Sequence, residues 1–251
     1  MPEPVPLTDE QRAVLENVHI VLVEPEDPAN IGAVARALKN TGIPNLTLVQ
    51  PFSHIPQGAF WVAHASEEIL HCARICRTLE EALNPMHFVV GTTQRKRIPY
   101  FPLLLPEEAV QRALPVAARY PVAFVFGRES RGLDNVELYQ CNVWSRIPSP
   151  VVRPAFNLAQ SVLIYAYTFY REVVSRPFFQ TLEIASHKEY EIFFRKVSQL
   201  LERVGFSPRD GMARFVARMR RAFGYLPMES RDLGVLMTIA EAIERKLDRE
   251  N

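Results

Sequence analysis

Two signatures that commonly announce a nucleotide site in an α/β chain are missing: no G-x-G-x-x-G follows the first apolar run, and no G-x-x-x-x-G-K-[ST] occurs anywhere. A standard dinucleotide or P-loop reading thereby loses its support. Cysteine is scarce, with Cys72, Cys76 and Cys141 the only 3 in 251 residues. An odd count without an export pattern argues for reduced thiols rather than a disulfide framework. Cys72 and Cys76 lie near His71, but no second ligand pair follows at finger-like spacing and no H-E-x-x-H occurs, so no metal is expected. There is no apolar run of about 18 residues to span a membrane. The opening MPEPVPLTDEQ lacks a basic segment followed by an apolar one. The expected address is the cytosol, with no membrane partner. A net charge of +1 places no global demand for a polyanion, so any basic surface must be local.

What is present is an ordinary globular composition, 48% hydrophobic and 23% charged, enough for one large core and a small appendage. The chain is organised around PVAFVFGRESRGLDN, Pro121 to Asn135. Val122 to Phe126 is too short for a helix and too evenly apolar for a half-exposed strand, which predicts a strand buried on both faces. Gly127 ends it, and Arg128, Glu129 and Arg131 follow where ligands of open α/β sheets bind, beyond the carboxyl ends of the strands. Upstream, Thr8 to Gln11 reads as a capping box, His19 to Val23 as a strand, and Asp27, Pro28 and Gly42 as N-cap, first residue and stop of a helix. On that helix Ile31, Val34 and Leu38 share one face, and Gly32, Arg36 and Asn40 the other. Further strands are expected at 45–49, 73–75, 88–92 and 143–147. Helices are expected at 58–70, from Thr78 to Asn84, and at 107–118 and 135–141. This alternation predicts a parallel sheet with helices on both faces. A nearly apolar helix, 156–173, must lie in the core or at a subunit interface. Beyond it only helical periodicity remains, at 187–204, 209–223 and 229–248. The expected division is 1–17, 18–175 and 187–251. In the last part Met212, Phe215, Val216, Met219 and Phe223 form an apolar stripe, with Arg214, Arg218 and Arg221 on a different face. From Arg203 to Arg221 there are 6 arginines against 1 acid, a local excess suited to phosphate contacts.

Three polar clusters stand at strand ends: Asn30 with Arg36 in N-I-G-A-V-A-R, Gly127 with Glu129 in F-G-R-E-S-R-G-L, and Asn157 in F-N-L-A-Q-S. In this order the chain resembles the SPOUT superfamily of methyltransferases, in its ribose 2'-O-methylating, TrmH-like branch, over roughly residues 18–173. GFSPRDGMARFVARMRRAF and PMESRDLGVLMTIAEAIE resemble the helical extension of the TrmJ-type subgroup, whose members methylate the ribose of nucleotide 32 in the tRNA anticodon loop. The resemblance implies a C-terminal trefoil knot, S-adenosyl-L-methionine as methyl donor and a homodimer in which Arg36 reaches the partner's site. By motif position Asn30, Arg36, Glu129 and Asn157 would be catalytic. Thr92, Thr93, Gln94, Gly127, Ile147, Ala155, Phe156 and Leu158 would surround the cofactor. Arg128, Arg131, Arg214, Arg218 and Arg221 would meet RNA. One departure stands out: the family usually has serine where this chain has Ala155, and Ser161, a turn deeper, is no obvious substitute. An rRNA methyltransferase of the same fold would carry the same catalytic motifs, and the lost hydroxyl leaves room for a catalytically idle RNA-binding dimer. The tail favours tRNA.

Overall fold

The computed structural model describes residues 6–50, 55–94, 103–151, 154–176, 184–224 and 228–250. The apolar runs form one wholly parallel sheet: β1 (Val18–Val23), β2 (Asn45–Val49), β3 (Arg74–Cys76), β4 (Phe88–Thr92), β5 (Leu103–Leu104), β6 (Val122–Phe126) and β7 (Val143–Ser145). Their order is β3-β2-β1-β6-β4-β7-β5. The helices are α1 (Asp9–Glu16), α2 (Pro28–Thr41), α3 (Gln57–Ala63), α4 (Glu67–His71), α5 (Leu79–Leu83), α6 (Pro106–Ala117), α7 (Asn135–Tyr139), α8 (Leu158–Val174), α9 (His187–Arg203), α10 (Met212–Gly224) and α11 (Ser230–Glu250). Alternation along the central strands divides the core in two. Ile20, Leu22, Phe124 and Phe126 join the side chains of α1, α2, α6 and α8, while Val21, Val23, Ala123 and Val125 join those of α5 and α7.

α2 begins and ends where its punctuation predicts: the Asp27 carboxylate accepts the Ala29 N–H at 2.8 Å, and Gly42 turns left-handed at φ 70°. Gly32, expected on the outer face, is buried instead. A β-carbon there would fall 2.2 Å from the Ala59 carbonyl oxygen, so α3 covers this second side of α2. The single helix expected over 58–70 is broken into α3 and α4 by His64 and Ala65, at φ 37° and 57°. Lys39 of α2 bonds the freed Ala65 carbonyl and pairs with Glu68 at 2.6 Å. β3 starts one residue late, α7 stops at Tyr139, and β7 stops at Ser145, where the chain turns toward Pro148. The two-residue β5 lies in a leucine run with no periodicity to announce it; it exists because it pairs with β7.

β7 lies between β4 and β5, which the chain joins through residues 93–102. The crossing expected of a knot falls on 95–102 and 152–153, outside the described residues. α8 buries Val162, Tyr165, Ala166, Phe169 and Val173 in the core, and leaves Leu163 and Tyr167 exposed on its far side. α9–α11 have a core of their own, Ala185, Tyr190, Phe193, Phe194 and Leu233, against which Val216, Met219 and Phe223 pack. The boundary expected between 175 and 186 falls largely on 177–183, also outside the described residues. No helix among the described residues is long and apolar enough to cross a membrane.

Candidate active site

The chain runs outward from β1 to β2 and β3, then builds the other half of the sheet, so the ends of β1 and β6 flank the reversal of strand order. At this point the turn after β6 is closed on itself. Gly132, at φ 64°, donates its N–H to the Arg128 carbonyl at 2.8 Å, and a β-carbon on Gly127 would lie 2.2 Å from the backbone of Gly132 and Leu133. Only glycine permits that approach.

The turn is then stitched to the loop after β1. Glu129 accepts the backbone N–H of Glu26 at 2.9 Å, that of Asp27 at 3.3 Å and the Asn30 side-chain amide at 2.9 Å. The Asn157 amide donates to the Asn30 side-chain oxygen at 2.8 Å, and the Asn157 oxygen caps α8 by accepting from Ala159 and Gln160 at 2.8 and 3.3 Å. One carboxylate and two amides thus tie the three motif stretches together. Glu26 adds a second tie, accepting from the Ser130 N–H at 3.1 Å and hydroxyl at 2.5 Å.

Arg128 does not face outward for RNA, and that expectation is corrected. Its guanidinium is buried and fully engaged: Nε donates to Glu24 at 2.6 Å, a second nitrogen lies 2.5 Å from the same carboxylate, and the third meets Glu137 at 2.9 Å. The bond to Glu24 holds Arg128 above the ordinary guanidinium value, with Glu137 adding to it against desolvation, and the same bond holds Glu24 below the usual carboxylate range. Arg131, three residues on, is exposed and reaches Glu24 at only 3.4 Å. The two arginines of one motif have opposite fates because β6 ends at Phe126 and its turn points one of them inward.

A cavity of about 270 Å³ opens at the carboxyl ends of β4, β6 and β7 and the head of α8. Thr92, Thr93, Gln94, Gly127, Ile147, Ala155, Phe156 and Leu158 all line it, as do Glu129 and Arg131. Gln94 is held there by donating to the Ile147 carbonyl at 3.2 Å, and Thr92 by donating to that of Val125 at 2.9 Å. Sequence reasoning missed Ser145, Arg146 and Tyr165 and set Ser161 aside, yet all four also line it. The buried Tyr165 hydroxyl donates to Ser145 at 2.8 Å, and Ser145 to the Leu104 carbonyl at 2.9 Å. Only the strand and helix periods could have hinted at these two, by placing them on inward faces.

Asn30 and Asn157 stand beside the cavity through Glu129 rather than in its wall. Arg36 lies on the exposed side of α2, outside the cavity wall, with no hydrogen bond or ion pair among the described residues. The tail is less basic than its sequence suggests. Arg218 pairs with Asp210 at 3.0 Å, Arg203 with Asp248 at 2.7 Å, and Arg220 with Glu191 across to α9. Arg221 is half-buried, while Arg214 and Arg209 are exposed and unpaired among the described residues.

The SpoU rRNA Methylase family profile matches residues 17–167. Over 241 residues the chain is 34% identical to the tRNA (cytidine/uridine-2'-O-)-methyltransferase TrmJ of Salmonella typhimurium, covering 93% of this chain and 98% of the relative. The crystal structure of TrmJ from Z. mobilis ZM4 superposes with a TM-score of 0.75 at 27% identity, over 90% of this chain and 98% of that one. A structure described as giving insights into the 2-OH methylation of C/U34 on tRNA superposes with a TM-score of 0.51 at 28% identity, over 63% of this chain and 97% of that one.

Proposed function

The chain belongs to the SpoU rRNA Methylase family, and from that premise we propose that it transfers a methyl group from S-adenosyl-L-methionine to the 2'-hydroxyl of a tRNA ribose, at nucleotide 32 of the anticodon loop. The observation that carries this reading is the convergence of the three motif stretches: Asn30, Glu129 and Asn157 bond to one another at the mouth of a cavity lined by the residues named for the cofactor. The likeness to TrmJ extends over 93% of the chain and so includes helices of the tail, whereas the C/U34 structure leaves 37% of this chain (100 − 63) without a counterpart. That difference favours the TrmJ-type substrate.

The cavity suits this cofactor in its lining. Its volume, about 270 Å³, lies just under the range of roughly 300–1,000 Å³ usual for small-molecule sites. Phe126, Ile147 and Leu158 offer an apolar wall to a purine, while Glu129, Arg131 and Arg146 stand ready for an amino-acid end. When bound, the cofactor supplies an electrophilic methyl group on a sulfonium. The protein's contribution is orientation and charge. Glu129 keeps the two loops at fixed separation, so that an in-line approach needs no reorganisation at the moment of transfer. Guanidinium groups do not release a proton in proteins, so we give Arg36 no role as a base. It serves as a fixed cation that grips the phosphate beside the target ribose and stabilises negative charge growing on the 2'-oxygen, with the proton leaving to water or phosphate.

Arg36 stands outside its own chain's cavity wall, and α8 presents Leu163 and Tyr167 to solvent; both support a homodimer in which Arg36 serves the partner's site. The position of β7 between two strands joined by 93–102 supports a trefoil knot, and exposed Arg131, Arg209 and Arg214 are candidates for RNA contact. The same reading divides the chain into 1–17, 18–175 and a helical RNA-binding extension, 187–251, and places the protein in the cytosol with tRNA.

Arg36→Ala tests this reading. Methyl transfer to tRNA should fall at least about 100-fold while cofactor affinity, measured by calorimetry, stays within about threefold. Arg36→Lys should fail almost as badly, because a point charge lacks the planar fork. Loss of cofactor binding in step with activity would overturn the role, and transfer to rRNA in place of tRNA would overturn the substrate.

A further inference from the structure

The wall of the cavity contributed by α8 contains a hydroxyl without a partner. Leu158, Ser161 and Tyr165, at i, i+3 and i+7, bring one stripe of the helix to the cavity. A serine or threonine inside a helix ordinarily bonds the carbonyl four residues back, and this chain follows that habit elsewhere. Thr168 bonds Ile164 at 2.8 Å, Ser198 bonds Phe194 at 2.8 Å, and Thr238 bonds Gly234 at 2.9 Å. Ser161 does not. The Asn157 carbonyl takes its backbone N–H at 2.9 Å, but its hydroxyl makes no hydrogen bond among the described residues.

One turn further along α8, the Tyr165 hydroxyl is committed to Ser145, and Ser145 to the Leu104 carbonyl, a buried polar pair joining α8 to β7. Phe126, Ile147, Leu158 and Tyr165, all buried, give the cavity an apolar lining, while the charged Glu129 and Arg131 in its wall are exposed. Ala155, which lines the same cavity, supplies only a methyl group where the resemblance led to the expectation of a hydroxyl.

We propose that Ser161 is a cofactor-binding residue of this chain: its free hydroxyl bonds the purine edge of S-adenosylmethionine, supplying from the first turns of α8 the polar contact that position 155 lacks. This rests on the reading of the cavity as the methyl-donor site. The ligand end is assigned by chemistry, a planar heterocycle with hydrogen-bonding edges being what an apolar wall with one free hydroxyl accepts.

Calorimetry with S-adenosylhomocysteine on the full-length protein tests it, comparing wild type, Ser161→Ala and, as a control, Ser198→Ala. Ser161→Ala should weaken binding about five- to tenfold, the scale of one hydrogen bond. KM for the donor should rise by a similar factor with kcat within about twofold. The melting temperature should not move, because the hydroxyl has no partner in the protein to lose; a structural role would lower it. Ser198→Ala should bind like wild type. Wild type should also prefer S-adenosylhomocysteine to an analogue in which a benzimidazole, whose six-membered ring carries no donor or acceptor, replaces the adenine, and Ser161→Ala should lose much of that preference. Equal weakening toward both ligands would overturn the purine assignment. An unchanged Ser161→Ala beside a wild type that binds would overturn the proposal alone, whereas a wild type that binds neither ligand would overturn the donor-site reading with it.

Discussion

The carboxyl edge of the sheet and the basic helix of the tail both carry dense charge, and the structure disposes of it differently. At the sheet edge Glu24, Glu26, Glu129 and Glu137 are bonded to loop backbone, to Ser130 or to the buried Arg128, so charge there holds two loops in register. In the tail, pairing is partial: Arg203, Arg218 and Arg220 meet acids, while Arg209 and Arg214 stay exposed without a partner among the described residues. A count of charges along a sequence therefore says little about the charge available to a polyanion; the position of the partners decides it.

The largest test of this contrast is Arg128→Met. It leaves the buried Glu137 without its cation and Glu24 with only the exposed Arg131 at 3.4 Å, and removing one partner of a buried pair costs roughly 3–5 kcal/mol. Urea denaturation should register that loss, and calorimetry the loss of cofactor binding as the turn detaches. Arg131→Met, at an exposed position, should stay within ~0.5 kcal/mol. Equal effects at the two arginines would erase the distinction between bonded and available charge.

The junction of the two regions is expected to be acid-sensitive. His187, buried against the sheet unit, donates its backbone N–H to the Met86 carbonyl at 2.5 Å, and its ring stands 3.5 Å from Glu191. Burial lowers its pKa to about 4, with Glu191 opposing and Arg220 adding to the shift. A folded value below the unfolded one of 6.5 means that the unfolded state binds more protons between them. This stability is present above pH 6.5 and is lost as pH falls toward 4, on the order of 3 kcal/mol over the window at about 1.36 per unit. His19 and His87, also lowered chiefly by burial, act in the same direction. Thermal melts should show His187→Gln to be less acid-sensitive than wild type over this window; an unchanged pH dependence would mean that the junction already opens to solvent.

In the tail, changing Arg209 and Arg214 together to glutamate should weaken tRNA binding several-fold and reduce the slope of log K against log salt by about 2, since each arginine that neutralises a phosphate contributes about one to that slope. Unchanged affinity and slope would make this face a solvated side of a helical bundle. The smallest effect is expected at Arg203→Gln, where an exposed pair with Asp248 is worth ~0.2–1 kcal/mol. A larger loss in denaturation would show that the tail's pairs hold structure as those of the sheet edge do.

The same contrast separates what was legible in the sequence from what was not. Strands 45–49, 88–92 and 122–126 and the caps at Thr8, Asp27 and Thr78 stand where local pattern put them, because burial on both faces and capping chemistry are written within a few residues. The inward turn of Arg128 was not legible, since one partner lies 104 residues upstream. Nor was the Ser145–Tyr165 pair, whose members lie on different elements 20 residues apart. The two arginines of R-E-S-R look alike in sequence; only the direction of the turn distinguishes them.

The most direct measurement of the proposed activity is transfer of a labelled methyl group from S-adenosylmethionine to bulk tRNA and, separately, to rRNA, followed by mapping of the resistant ribose. Incorporation is expected in tRNA, at the 2'-oxygen of nucleotide 32, and should be abolished by Arg36→Ala. Label in rRNA, at nucleotide 34, on a base, or nowhere would contradict the proposal.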